Sequence, residues 1–224
     1  MSRYLDLSSW PRRDAFEFFR HFDKPFFNVC VRLDVARLKA TLAADWPGVG
    51  LSLACCFVAL RLANRHQAFR LRIEGERVCV HDEVHGSTTV LREDGESFFF
   101  ADLVHTADFA AFRAQAKTAI DAARTRHAEF APKPQETAVV YLTSLPWLHF
   151  TSFSHARQWA RDGARDDSIP RFAFGRTQAD GPHLWMPMSV EVHHGLMDGV
   201  HVGRFVNDFE AMMAEPQAWL GARA

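Results

Sequence analysis

The stretch Val190-Glu191-Val192-His193-His194-Gly195-Leu196-Met197-Asp198-Gly199-Val200-His201 gathers the residues best suited to moving protons. An imidazole titrates near neutrality and can take a proton from a hydroxyl at physiological pH. Such a base needs an orienting partner and a turn that holds it still. Asp198 stands four residues after His194, with Gly199 beside it. Its carboxylate can orient the ring or anchor the turn through an arginine. No serine or cysteine sits here in a nucleophile-elbow pattern, so a covalent acyl-enzyme is not indicated. Two plainer readings compete. Paired histidines are more often structural than catalytic. A metal held by His193, His194, Asp198 and His201 is the other, but neighbouring residues of a strand point to opposite faces. The pair does not readily share one ion, and no metal site is assigned.

A strand-like run at 183–193 leads into this stretch, and a helical run at 202–213 follows it. Rigid flanks of that kind hold a few side chains still while the turn exposes them. Earlier in the chain a helix is predicted from Pro11, ending before Pro25, and a strand at 26–33. Asp34 caps a helix at 35–44, and a buried helix covers 52–66. A hairpin joins 69–74 to 77–81 across Gly75-Glu76. Strands at 87–91 and 96–104 flank Asp94-Gly95. Asp108 caps an amphipathic helix to about His127, with Phe109, Phe112, Ala116 and Ile120 on its core face. Strands at 138–143 and 149–153 follow, then a polar, mobile loop at 154–168, and a strand at 171–177. The order implies a single α/β (α+β) domain over residues 1–224, a two-layer sandwich with a mixed β-sheet covered by helices.

The 224 residues carry a formal net charge of −1, with 48% hydrophobic and 24% charged residues. The basic residues are scattered, which argues against a nucleic-acid partner. Cys30, Cys55, Cys56 and Cys79 show no metal spacing and read as small, reduced side chains. The longest apolar run, 51–60, is too short to span a bilayer, and the N-terminus has no signal-peptide pattern. The expectation is a cytoplasmic protein with no membrane partner.

Four segments together resemble the chloramphenicol acetyltransferase family. His193-His194-Gly195-Leu196-Met197-Asp198-Gly199 is similar to its signature, whose looser form His-x-x-x-Asp-Gly is shared with other coenzyme A-dependent acyltransferases. Trp10-Pro11-Arg12-Arg13 through His21 resembles its N-terminal segment. Phe69-Arg70-Leu71-Arg72-Ile73 resembles one of its strands, and Leu145-Pro146-Trp147 with Phe150-Thr151-Ser152-Phe153 another. The resemblance runs in the same order from about Tyr4 to Met213.

That resemblance implies an acetyl transfer from acetyl-coenzyme A, a co-substrate rather than a permanently bound cofactor, to a hydroxyl of chloramphenicol. His194 matches the general base, its tautomer set by a backbone carbonyl. Asp198 matches the partner of an arginine, here Arg12, that holds the turn. Thr143 stands where a serine stabilises the oxyanion, and Ser144 should face the other way. Phe19, Phe27, Phe98 and Ala173 match acceptor-pocket positions, and Arg176 a coenzyme-phosphate position. Phe19 replaces a tyrosine, Ala173 a threonine and Glu191 a glutamine, and the segment between Phe153 and Pro170 is longer than usual. The resemblance also implies a homotrimer with sites between subunits, His194 of one facing Thr143, Phe19 and Phe27 of its neighbour. Two alternatives are the same chemistry on another small alcohol or amine, and a non-catalytic trimeric binder.

Overall fold

A computed structural model describes residues 2–125, 137–157 and 167–221. Among the described residues the strands are β1 (Ser2–Tyr4), β2 (Phe26–Asp34), β3 (Leu71–Glu74), β4 (Arg77–His81), β5 (His85–Leu91), β6 (Phe98–Leu103), β7 (Val139–Leu145), β8 (Arg171–Gly175), β9 (Gln178–Asp180) and β10 (His183–His193). The helices are α1 (Arg13–Phe19), α2 (Ala36–Asp45), α3 (Leu51–Arg65), α4 (Phe109–Thr125), α5 (Gly199–Ala214) and α6 (Gln217–Leu220).

Seven strands form one sheet in the order β2-β10-β8-β7-β5-β6, with β9 added to β10. The β5–β7 and β7–β8 pairs are parallel and the others antiparallel, so the sheet is mixed. A smaller sheet, β1-β4-β3, stands apart. Alternation along β10 decides the layers. Met186, Met188, Val190 and Val192 enter the core with Phe172 and Phe174 of β8 and with α3 and α5. Ser189 and Glu191 point the other way, in register with Cys30 and Asn28 of β2 and with Ala173 and Arg171 of β8. The helices thus cover one face, giving the expected two-layer arrangement.

The helical layer is held by aromatic rings. Phe69, Phe172 and Phe205 stack, with centroids 4.4 and 5.1 Å from Phe205. Phe57 meets Phe109 and Trp219 on the other side of α3. α3 itself is apolar almost all round, as a helix between a sheet and other helices must be.

The structure differs from the sequence expectations at several places. Residues 149–153 are not a strand. Both ladder edges of β7 are already taken by β5 and β8, so the segment lies across the polar face of the sheet instead. Side chains hold it there: Asn28 Nδ2 and Ser189 Oγ donate to Phe153 O at 2.7 and 3.2 Å. Helix α1 is shorter than expected and ends at Phe19. Strand β1 and helix α6 were not anticipated. Asp108 does cap α4, accepting from Ala111 N at 2.7 Å. The end of that helix beyond Thr125 and most of the expected loop, residues 158–166, lie outside the described residues.

The β3–β4 hairpin is tied to the main sheet by Arg72, whose side chain is fully buried. Its guanidinium donates to Thr137 O at 2.8 Å, to Phe69 O at 3.0 Å and to Leu71 O at 2.6 Å, and also to Val139 O. Burial pulls its pKa down to about 9, which leaves it charged at neutral pH. Arg72→Leu removes donors from four carbonyls, three of them in buried bonds. Bonds from a charged donor are worth about 1.5–3 kcal/mol each, so the net loss should be at least ~3 kcal/mol. Thermal denaturation should show Tm lower by ~6 °C or more. An unchanged Tm would show that the hairpin is held by other contacts.

Candidate active site

The turn between β10 and α5 is pinned before any side chain acts. Leu196 N and Met197 N donate to His193 O at 3.0 and 3.1 Å, and His194 N donates to Pro25 O at 2.7 Å. Arg12 reaches across from the start of α1. Its Nη2 donates to His194 O at 2.9 Å, and its Nη1 lies 3.7 Å from Asp198 Oδ2. The expected Arg12–Asp198 pair is therefore present, and its stronger member is the bond to the backbone of the histidine itself.

Asp198 has a second task that the sequence reading missed. Its Oδ1 accepts from Gly199 N at 2.7 Å, and the His201 ring reaches back to accept from Asp198 N at 3.0 Å. The two residues cap α5 reciprocally. The Gly199 N–H, with help from Arg12, holds the Asp198 carboxyl below the usual carboxylate range.

Backbone groups select the tautomer of each imidazole. His194 Nδ1 lies 3.3 Å from Met197 O. A carbonyl only accepts, so the proton sits on Nδ1 and Nε2 keeps its lone pair. His193 has the opposite arrangement: its Nδ1 accepts from Gly195 N at 3.1 Å. That ring is fully buried against Phe26, and burial, then Arg157, pulls its pKa down to about 3. His193 is a neutral packing residue, whereas His194 is half-buried with a basic nitrogen. Gly195 belongs to the same arrangement, because a Cβ there would lie 3.1 Å from both Cε1 and Nδ1 of His193.

The aromatic positions correct one expectation. Phe19 stacks on His194 of its own chain, with centroids 3.8 Å apart and planes 13° from parallel. Phe27 lies against the same ring at 4.9 Å. They do not have to come from a neighbour. Arg12 fastens the start of α1 to the turn, and β2 pairs with β10 through Phe27 and Val192, so both rings are delivered locally.

The remaining positions lie elsewhere. Thr143 pairs with Ala173, which pairs with Ser189, in one row across the sheet's polar face. Two strand spacings of ~4.8 Å and four residues of ~3.3 Å rise put Thr143 about 16 Å from His193 within the chain. Ser144 faces the helices, bonded to Ser52 at 2.7 Å, as alternation required. Phe98 is on the exposed edge strand β6, far across the sheet order from β10. Arg176 is exposed just beyond β8.

A buried charge cluster completes the polar face, and only the glutamine-to-glutamate change had hinted at it. Arg157 Nε donates to Glu191 Oε1 at 2.6 Å, and His155 N to Glu191 Oε2 at 3.0 Å. Asp167 bridges Arg157 and Arg171. Burial alone would raise the Glu191 pKa, but the bonds from His155 and Arg157 outweigh it and hold it at about 2. Among the described residues no cluster of His, Cys, Asp or Glu is suited to a metal ion, and no helix is long and apolar enough to cross a membrane.

Two predictions follow from the turn. His193 has a depressed pKa in the folded state, so its stabilising contribution is complete above the unfolded value near 6.5. It is lost as pH falls toward about 3. His193→Asn keeps an acceptor for Gly195 N without the titration. Its unfolding free energy, measured by denaturant titration at each pH, should rise less steeply over that window, by about 1.4 kcal/mol per pH unit; an identical slope refutes the assignment. Asp198→Ala should cost about 1 kcal/mol through the lost cap, and Asp198→Asn, which retains an acceptor, clearly less. Equal Tm losses in the two variants would put the weight on the Arg12 pair instead.

A family model described as chloramphenicol acetyltransferase matches residues 2–210. A chloramphenicol acetyltransferase of Streptomyces acrimycini is 31% identical over 96% of this chain and 96% of its own. A solved chloramphenicol acetyltransferase superposes with a TM-score of 0.84 at 26% identity, over 95% of this chain and 100% of that one. The dihydrolipoamide acetyltransferase of Azotobacter vinelandii shares the fold, with a TM-score of 0.65 at 15% identity over 93% of this chain and 88% of that one. This chain is an acyltransferase enzyme and belongs to the chloramphenicol acetyltransferase family.

Proposed function

We propose that the enzyme moves the acetyl group of acetyl-coenzyme A to a hydroxyl of chloramphenicol by direct transfer in a ternary complex. The observation carrying this reading is the tautomer of His194, with Nδ1 on Met197 O and the lone pair on Nε2. Nε2 takes the proton of the acceptor hydroxyl, whose oxygen attacks the thioester carbonyl. The tetrahedral oxyanion accepts a hydrogen bond from Thr143 Oγ1–H. As the carbon–sulfur bond breaks, the imidazolium returns its proton to the thiolate. Arg12 and Asp198 are positioning residues that hold the turn. Phe19, Phe27, Phe98 and Ala173 line the acceptor pocket, and Arg176 meets a phosphate of the coenzyme.

The single chain, one domain over residues 1–224, places Thr143 about 16 Å from His193, the residue that precedes the base, as estimated from sheet spacings. A second copy supplies the missing half, which supports a homotrimer with sites between subunits. Four free cysteines, two of them adjacent and unbridged, support a reducing cytoplasmic location.

Transfer to another small alcohol or amine is the second reading. It is favoured by the bare Phe19 ring on His194 and by the Arg157–Glu191 tether, which holds the Phe153–Arg157 segment over the face bearing Thr143.

Thiol release from acetyl-coenzyme A with chloramphenicol tests the proposal. His194→Ala should lower turnover by about two to four orders of magnitude. Thr143→Ala should lower it by about two to three orders, and Thr143→Ser by far less. Retention of more than about a tenth of the wild-type rate by His194→Ala would place the base elsewhere. Release with a different acceptor alone would favour the second reading. No release with any acceptor would favour a binder. Mixed oligomers of His194→Ala and Thr143→Ala chains should regain activity, because some interfaces then combine two intact halves. No recovery would mean that each site lies within one chain.

A further inference from the structure

A cavity of about 220 Å³ opens beside the histidine turn, lined by Trp10, Arg12, His66, Leu196, His201 and Arg204. His194 does not line it, so it is not the acceptor or acyl site described above. Among the described residues no carboxylate lines it. Its polar wall combines Gln67 and His66 with three side chains that offer donors, Arg12, His201 and Arg204. Arg12 Nε is buried without a hydrogen-bond partner. His201 Nδ1 accepts from Asp198 N, so the neutral ring carries its proton on Nε2 and offers a second donor. Arg204 lies three residues on, on the same face of α5, and makes no ion pair among the described residues. The positive end of the α5 dipole adds to the same field.

The neighbouring acids offset it only in part. Asp198 meets Arg12 only at 3.7 Å and is itself occupied by Gly199 N. Asp208 is held by His66 at 2.9 Å and by Arg65 at 3.6 Å. Burial, then the charge of Arg12, and to a lesser degree Arg204, keep His201 below its ordinary pKa. Cations gathered around a concave, donor-lined space call for an anion with several acceptor oxygens. At ~30 Å³ per water, the space admits a tetrahedral oxyanion with part of its hydration.

We propose that this cavity binds a small phosphate-class oxyanion between Arg12, Arg204 and the Nε2–H of His201. Such an anion braces the histidine turn from outside, because Arg12 also holds His194 O.

The probe is inorganic phosphate, titrated against sodium chloride of matched ionic strength while Tm is followed. Wild type and Arg176→Ala should show a saturable rise in Tm. Arg204→Ala should need at least tenfold more phosphate for half the effect, and Arg204→Gln should fall between. Arg204 is exposed, so both variants should fold, with turnover in chloride at saturating acetyl-coenzyme A unchanged. An equal rise in Arg204→Ala, or no rise in wild type, overturns the proposal. Loss of the rise in Arg176→Ala also overturns it, since the phosphate would then occupy the position proposed for the coenzyme. If saturating coenzyme A abolishes the phosphate effect and Arg204→Ala weakens coenzyme A, the oxyanion is a coenzyme phosphate; independent binding marks a free anion.

Discussion

The grip of Arg12 on the histidine turn is the contact on which the rest of the site depends. One guanidinium holds the carbonyl of His194 and faces the carboxylate that caps α5. It thereby joins three elements that are far apart in sequence: α1, the end of β10 and the start of α5. Because the bond is to the backbone, it fixes where the imidazole begins and leaves the ring free to be oriented by Met197 O. Phe19 rides on the same attachment, which is why it stacks on its own chain's histidine.

The two neighbouring histidines illustrate how little chemistry is contained in residue type. His193 and His194 have the same side chain and adjacent positions. One enters a dry pocket, takes a hydrogen bond at Nδ1 and is kept neutral; the other donates from Nδ1 and keeps a basic Nε2. The difference comes from β-alternation at the end of β10, which sends consecutive side chains to opposite sides. Gly195 passes over the buried ring without the Cβ that would crowd it.

The sheet explains the division of labour between faces. Its helical side is closed by stacked phenylalanines and is a stability device. Its other side is polar, with the row Cys30, Ser189, Ala173 and Thr143 and the charge cluster around Glu191. Glu191 would be a costly residue in that place without a cation; Arg157 and the amide of His155 make it acceptable. The glutamate and the arginine of the segment after Phe153 are therefore one feature, although 34 residues separate them.

Much of this was legible in the chain. Alternation in 183–193, the Asp-Gly stop and the apolar helix after it placed the histidine turn at a strand-to-helix junction, because such patterns are local. Four ordered segments pointed to the family. Other features could not be read that way. Residues 149–153 have strand composition, yet both edges of the adjoining strand β7 were already taken, and that occupancy is a property of the assembled sheet. The origin of Phe19 and Phe27, the second task of Asp198, the partner of Glu191 and the donor-lined cavity beside Arg204 all depend on which distant atoms meet. Sequence determined the residues able to do the chemistry and the elements that carry them. Tertiary structure decided their protonation, their partners and their separation, because hydrogen-bond geometry and burial exist only once the chain has closed on itself.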